Sequence, residues 1–257
     1  GIIRLSEWGL DPEIGSDAIA LLGLDDFAVE INVTPDRGYA MSIRGVAREY
    51  AHATGTKFTD PATALKIGKG DGFSVKIDDA APIRGVIGCT GFVTRTVRGI
   101  DRNRKTPAWM VKRLALMGVR SISLPVDISN YVMMELGQPT HCYDLAKLDG
   151  GITVRRAKSG EKTVTLDEAE RTLSPEDLLI TDDKKILGIA GVMGGASTEV
   201  SETTTDILIE AATFDPVTIA RSARRHKLPS EASKRFARGV DPLVSRAAAQ
   251  RVADLLV

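Results

Sequence analysis

Hydrophobic and polar residues recur with two different periods along the chain, and the switch between them outlines its elements. Alternation with period two predicts strands over residues 27–33, 73–77, 85–97, 152–157, 178–181, 186–192 and 207–212, those of the longer part bounded by Gly, Asp or Pro. Apolar positions spaced three and four apart predict helices over about 41–53, 107–117, 126–136, 216–226 and 242–256. Pro107 suits a first helical position after Thr106 as cap, and Asp215-Pro216 and Asp241-Pro242 repeat the pattern of an acidic cap followed by Pro. Pro35 fixes a turn between the first strand and the first helix.

The periodicity lapses over residues 53–72, a stretch rich in Gly, Thr and Lys that reads as a linker. A small α/β unit, residues 1–60, would precede a larger unit, residues 61–257. Strands gather in the middle of the larger unit and helices at its flanks without strict alternation. This order favours an α+β fold of mixed or antiparallel sheets over a doubly wound one.

Composition narrows the class. With 257 residues, 43% hydrophobic and 26% charged, the chain is of ordinary globular make-up, and no run reaches the ~20 apolar residues of a membrane-spanning helix. Two cysteines, Cys89 and Cys142, exclude both a disulfide framework and a four-thiolate zinc site, and they suit a reducing, cytoplasmic setting. Three histidines argue against a His-rich metal site, and no metal ligand set is assigned.

Thirty-four basic residues balance 34 acidic ones, but unevenly. Residues 95–120 carry a net charge of +7 and residues 221–238 of +6, against −9 over residues 121–220 and −5 over residues 1–60. The two basic segments read either as solvated helix faces paired with the acidic middle or as a surface for a polyanion. Arg224 and Arg225 are the candidates for RNA contact, whereas His226, at the end of its helix, reads as a cap favoured by the dipole.

Phosphate-binding loops, nucleophile elbows and His-Glu-x-x-His are absent from the sequence. Three features remain. His141 follows Gly137 and Pro139 on a pinned turn, which suits either an ordinary turn histidine or a presented active-site group. Gly191, Gly194 and Gly195 follow a strand, as a bulge or as a bare backbone surface for a planar ligand. Glu210 shares a strand face with Leu208 and Ala212, so it faces an apolar interior unless the strand lies at an edge.

Six separated strings now come together: Glu30-x-Asn32-Val33-Thr34-Pro35-Asp36-Arg37, Gly45-Val46-Ala47-Arg48-Glu49, Val126-Asp127-x-x-Asn130-Tyr131, Gly137-Gln138-Pro139-x-His141-x-x-Asp144, Gly191-x-x-Gly194-Gly195, and Arg224-Arg225-His226 through Arg238-Gly239-Val240-Asp241-Pro242. In this order the chain resembles the beta subunit of bacterial-type phenylalanyl-tRNA synthetase, as an internal piece. The resemblance implies that residues 61–257 form the editing domain, which hydrolyses tyrosine wrongly esterified to tRNA(Phe). It implies His141 as the catalytic residue, a pocket of Glu210, Gly194, Ser230 and Ala232, and Arg120 and Asn130 as further lining. It implies the tRNA(Phe) acceptor end and the alpha subunit as partners. No cofactor is implied for this piece, whereas ATP and Mg serve the full heterotetramer.

The chain departs from the family at Asp36, where Asn is usual, at Thr140, where Met is frequent, and at Cys142-Tyr143, where the family often shows Ala-Phe. Two other readings stay open. One is a non-catalytic tRNA-binding or subunit-scaffold module with a vestigial pocket, and the other is an unrelated small-molecule hydrolase.

Overall fold

The computed structural model describes residues 4–8 and 10–257. Its helices are α1 (Ala18–Leu22), α2 (Ile43–Thr54), α3 (Ala108–Leu116), α4 (Leu124–Leu136), α5 (Pro216–His226), α6 (Glu231–Arg238) and α7 (Ser245–Leu256). Its strands are β1 (Val75–Asp78), β2 (Cys89–Val97), β3 (His141–Asp144), β4 (Ile152–Arg156), β5 (Lys162–Val164), β6 (Glu170–Thr172), β7 (Leu178–Thr181), β8 (Ile186–Ile189), β9 (Met193–Gly194) and β10 (Ile207–Phe214).

Strand β10 lies at the centre of a three-stranded antiparallel sheet, order β2-β10-β3. Its alternation sends Ile207, Ile209 and Ala211 to one side, into a core with Met110, Leu114, Ile128, Val132, Ala248 and Val252 of α3, α4 and α7. Leu208 and Ala212 face the other side, against Val154, Leu179, Leu187 and Ile189 of a five-stranded sheet, order β1-β4-β7-β8-β9. That sheet is mixed: β1 runs parallel to β4 and its other pairings are antiparallel. Helices, small sheet and large sheet thus form three layers with two cores, and the α+β expectation holds. Each fully buried Leu or Ile contributes about 1.5–3 kcal/mol.

Residues 33–44 dock on this body through named bonds. Arg44, 8% exposed, donates to both carboxylate oxygens of Asp60 at 2.6 and 2.8 Å and to Asp241 at 2.9 Å. Arg235 of α6 reaches the Met41 carbonyl, and Arg238 that of Val33.

Several local expectations are corrected. Residues 27–33 alternate but pair with no strand among the described residues; Phe27 and Val29 are 91% and 81% exposed, because alternation without a ladder partner leaves both faces in solvent. The stretch 53–72 is not a free linker, since Asp60 caps a short 3-10 helix over Pro61–Ala64, and Ala62 and Leu65 pack on the helical core. Thr106 caps nothing; its hydroxyl bonds the buried Asp127 at 2.5 Å. Asp215 caps α5 as expected, accepting from the Thr218 amide. Asp241 instead closes a turn with the Leu243 and Val244 amides, so α7 begins only at Ser245.

Candidate functional site

Gly137 ends α4 with φ of +82°, a left-handed backbone that favours Gly, and turns the chain into β3. The next residue, Gln138, is fully buried and fastens this turn. Its amide donates to the Pro139 and Ala212 carbonyls at 2.9 and 3.0 Å, and its oxygen accepts from Ser245 at 3.0 Å. The Gly-Gln-Pro string is therefore a clamp that sets β3 against β10. In the resulting register His141 stands directly opposite Glu210.

Glu210 is 7% exposed on the central strand, so the edge-strand alternative falls away. Tyr143, two residues beyond His141 on the same face of β3, donates its phenol to Glu210 Oε2. Burial pushes the Glu210 carboxyl up to about 7, with the Tyr143 bond pulling the other way. Burial, and then the neighbouring Glu210 charge, hold the Tyr143 phenol well above its ordinary value.

The His141 ring packs edge-on against Tyr143, centroids 4.5 Å apart at 77°. Its Nε2 is buried without a hydrogen-bond partner, as is Thr140 Oγ1 beside it. Burial holds the imidazole down to about 4, so it is neutral at pH 7. Gly194 on β9 approaches so closely that a Cβ there would lie 2.6 Å from His141 Cε1. Gly188 and Gly195 have no room for a Cβ against the β8–β9 backbone for the same reason. The glycines thus close the strand pair onto the imidazole.

These residues line a cavity of about 290 Å³. Glu210, His141, Gly194, Ser230, Ala232 and Asn130 all border it. Ser230 is committed to architecture there: it caps α6 in a reciprocal capping box with Ser233 and donates to the Val192 carbonyl at 2.9 Å. Arg120 is the exception. It is exposed in the middle of the α3–α4 connection and lines neither this cavity nor its neighbour.

The neighbour is a larger cavity of about 830 Å³, bordered by Arg102, Arg104 and Lys105 on one side and Glu199 and Glu202 on another. Ser129, Asn130, Thr140, His141 and Leu166 border both cavities, so the two meet at the unpartnered imidazole. Sequence reasoning named Thr140 and Tyr143 only as departures from the family and gave neither a role. Four residues of β3 carry too little pattern to have shown it, and the Tyr143–Glu210 contact follows only from the register of β3 on β10.

The basic segment 221–238 is largely neutralised within the fold. Arg225 pairs with Asp177 and Glu176, and Arg221 with Glu176. Arg224 is exposed and makes no ion pair among the described residues. His226 is not a cap: its Nε2 lies 2.7 Å from the buried Asp177, while Lys227, at φ of +55°, ends the helix. Burial would raise the Asp177 carboxyl, but the Ser174 amide, the Ser222 hydroxyl and His226 hold it below its ordinary value.

Among the described residues no group of three or more His, Cys, Asp or Glu side chains could hold a metal ion, and no helix is long and apolar enough to cross a membrane.

The profile of the B3/4 domain family matches residues 88–257, which include the whole of this site. Beyond that span the chain is similar to curated phenylalanine--tRNA ligase beta subunits. It is 67% identical over 258 residues to that of Leifsonia xyli, covering 100% of this chain and 30% of the relative. Identity is 53% over 278 residues with Bifidobacterium longum (100% and 32%) and 55% over 248 residues with Streptomyces avermitilis (95% and 29%). The chain spans about 30% of the length of these relatives. A solved N-terminal fragment of the phenylalanyl-tRNA synthetase beta subunit from Pyrococcus horikoshii aligns at 15% identity over 75% of this chain and 59% of that one, with a TM-score of 0.41, too distant to bear on the site. The chain belongs to the B3/4 domain family, in the form found within bacterial phenylalanine--tRNA ligase beta subunits.

Proposed function

We propose that the smaller cavity is an editing site, which hydrolyses tyrosine esterified to tRNA(Phe) within a ligase that joins Phe to that tRNA. One observation carries the reading: a buried carboxylate, Glu210, and an unpartnered imidazole nitrogen, His141 Nε2, border one cavity of about 290 Å³. Tyr and Phe differ by one hydroxyl, and a site built to bond a hydroxyl rejects the analogue lacking it by roughly 10⁴–10⁵. Glu210 supplies that bond. The larger cavity, with Arg102 on its wall, takes the terminal nucleotide, so the ester falls at their junction beside His141 and Thr140.

The imidazole acts as a neutral hydrogen-bond partner of the ester or ribose. Held at about 4, it is a poor match for general-base work at pH 7, where the best base titrates near the working pH. The attacking water is then positioned with the help of the ribose hydroxyl. Ligation itself, with ATP and Mg, belongs to the alpha subunit in this reading, and no step in this chain runs through them.

The test uses the full-length beta subunit assembled with its alpha partner. Deacylation of Tyr-tRNA(Phe) should outrun that of Phe-tRNA(Phe), and Glu210→Ala should erase the preference. Equal hydrolysis of the two esters by the unsubstituted enzyme overturns the reading. Salt-sensitive tRNA binding without any hydrolysis would favour the scaffold alternative instead.

A further inference from the structure

Glu210 and Glu231 are the two carboxylates on the wall of the smaller cavity, and Tyr143 is the side chain that bonds the first of them. Tyr143 is 2% exposed, its ring braced by the His141 edge and its phenol given to Glu210 Oε2. Tyr143 faces Leu208 across the ladder and His141 faces Glu210, so the phenol reaches Glu210 along the diagonal of one sheet face. A phenylalanine at 143 would preserve the ring packing and leave Oε2 without its donor. With Oε2 held, Glu210 Oε1 is the carboxylate oxygen that has no partner among the described residues.

We propose that Tyr143 is a positioning residue that sets specificity: by donating to Oε2 it keeps Glu210 in its accepting form and leaves Oε1 to receive the hydroxyl of a tyrosyl ester. The proposal rests on the editing reading above. Its physical ground is competition between burial and hydrogen bonding. An ionised carboxylate accepts strong bonds, whereas a protonated one offers a donor of its own and a weaker acceptor. Burial works toward the protonated form, and the phenol works against it. The other titratable groups facing Glu210 do not supply the same support. His141 stays neutral, and burial keeps the Cys89 and Cys142 thiols neutral, at about 12 and about 11. Glu231, on the cavity wall from α6, is engaged with Lys234 and Arg235.

Discrimination should therefore fade as pH falls, at a pH that position 143 sets. The experiment follows the ratio of Tyr-tRNA(Phe) to Phe-tRNA(Phe) deacylation between pH 5 and 8.5 in the assembled ligase, with and without Tyr143→Phe. Alongside it, carbon-13 NMR of labelled glutamate follows the Glu210 carboxyl in the chain itself, assigned with Glu210→Gln. Both midpoints should rise by about one pH unit in Tyr143→Phe, with discrimination regained at high pH. A variant that discriminates with an unmoved midpoint, or an unmoved carboxyl titration, overturns the role of Tyr143 and leaves editing intact. An unsubstituted enzyme without discrimination at any pH overturns the editing reading and this proposal with it. A carboxyl that still titrates higher in Tyr143→Phe would then show only that the bond is real.

Discussion

A side chain at position 194 and the imidazole of His141 compete for one space, since a Cβ on Gly194 would stand 2.6 Å from Cε1 and 3.0 Å from Nε2. Gly194→Ala must push the ring or open the β8–β9 pair. We expect a loss of about 1–3 kcal/mol in chemical denaturation, typical of overpacking, together with a displaced His141 resonance. A variant as stable as the parent with an unmoved imidazole signal would show that the neighbours yield freely.

Glu210 ties stability to pH. Its folded value, about 7, lies above the ordinary value of 4.5, so the folded state holds the proton more tightly than the unfolded chain. The contribution is fully present below about 4.5 and is lost as pH rises through about 7. Relative to Glu210→Gln, which does not titrate, the parent should lose on the order of 2–3 kcal/mol between pH 4.5 and 8. Parallel stability profiles for the two proteins would contradict this. His141 has the opposite sign: depressed to about 4, it favours the fold at high pH, and that contribution disappears as pH falls from about 6.5 through 4.

Removing the clamp should cost more than its surface suggests. Gln138→Ala deletes three buried hydrogen bonds and leaves the Ala212 carbonyl and the Ser245 hydroxyl short of a partner. The expected loss is about 2–4 kcal/mol, read from denaturant midpoints. If the change were below about 1 kcal/mol, the turn would be standing without its amide.

Arg224 and Arg225 are neighbours with different occupations. Arg225→Gln breaks pairs to Glu176 and Asp177 and should lower thermal stability by up to about 1 kcal/mol while changing RNA affinity little. Arg224→Gln should leave the melting temperature unchanged and, if this face meets RNA, flatten the salt dependence of tRNA binding. Identical behaviour of the two variants would erase the distinction.

The same residues show what could be read in the sequence. Glu210 was legible because β10 keeps strict alternation between two apolar faces, and a face assignment follows from spacing alone. The strings around His141 and Gly194 were legible because tight turns and glycines punctuate them, whereas Asn130, inside α4, came only from the resemblance. Residues 27–33 carry equally good alternation and form no strand, since pairing depends on a partner that local pattern does not specify. Strand β3 has four residues and α6 eight, mostly polar, so neither offers enough periods to count. Arg120 lies off both cavities, since resemblance fixes a position in the chain but not the direction of a side chain on a loop. The Tyr143–Glu210 bond needed the register of β3 against β10, a relation between residues 67 apart.

Strand β10 belongs to both cores at once: Ile209 and Ala211, which flank Glu210, are wholly buried among the helices, while Glu210 itself looks toward the large sheet. Retuning the cavity through β10 would disturb two packed interiors together. The flanking strands β3 and β9 end their sheets, so a change there meets a ladder partner on one side only. Diversity in what such a cavity accepts should therefore accumulate at its margins, with the central carboxylate inherited unchanged.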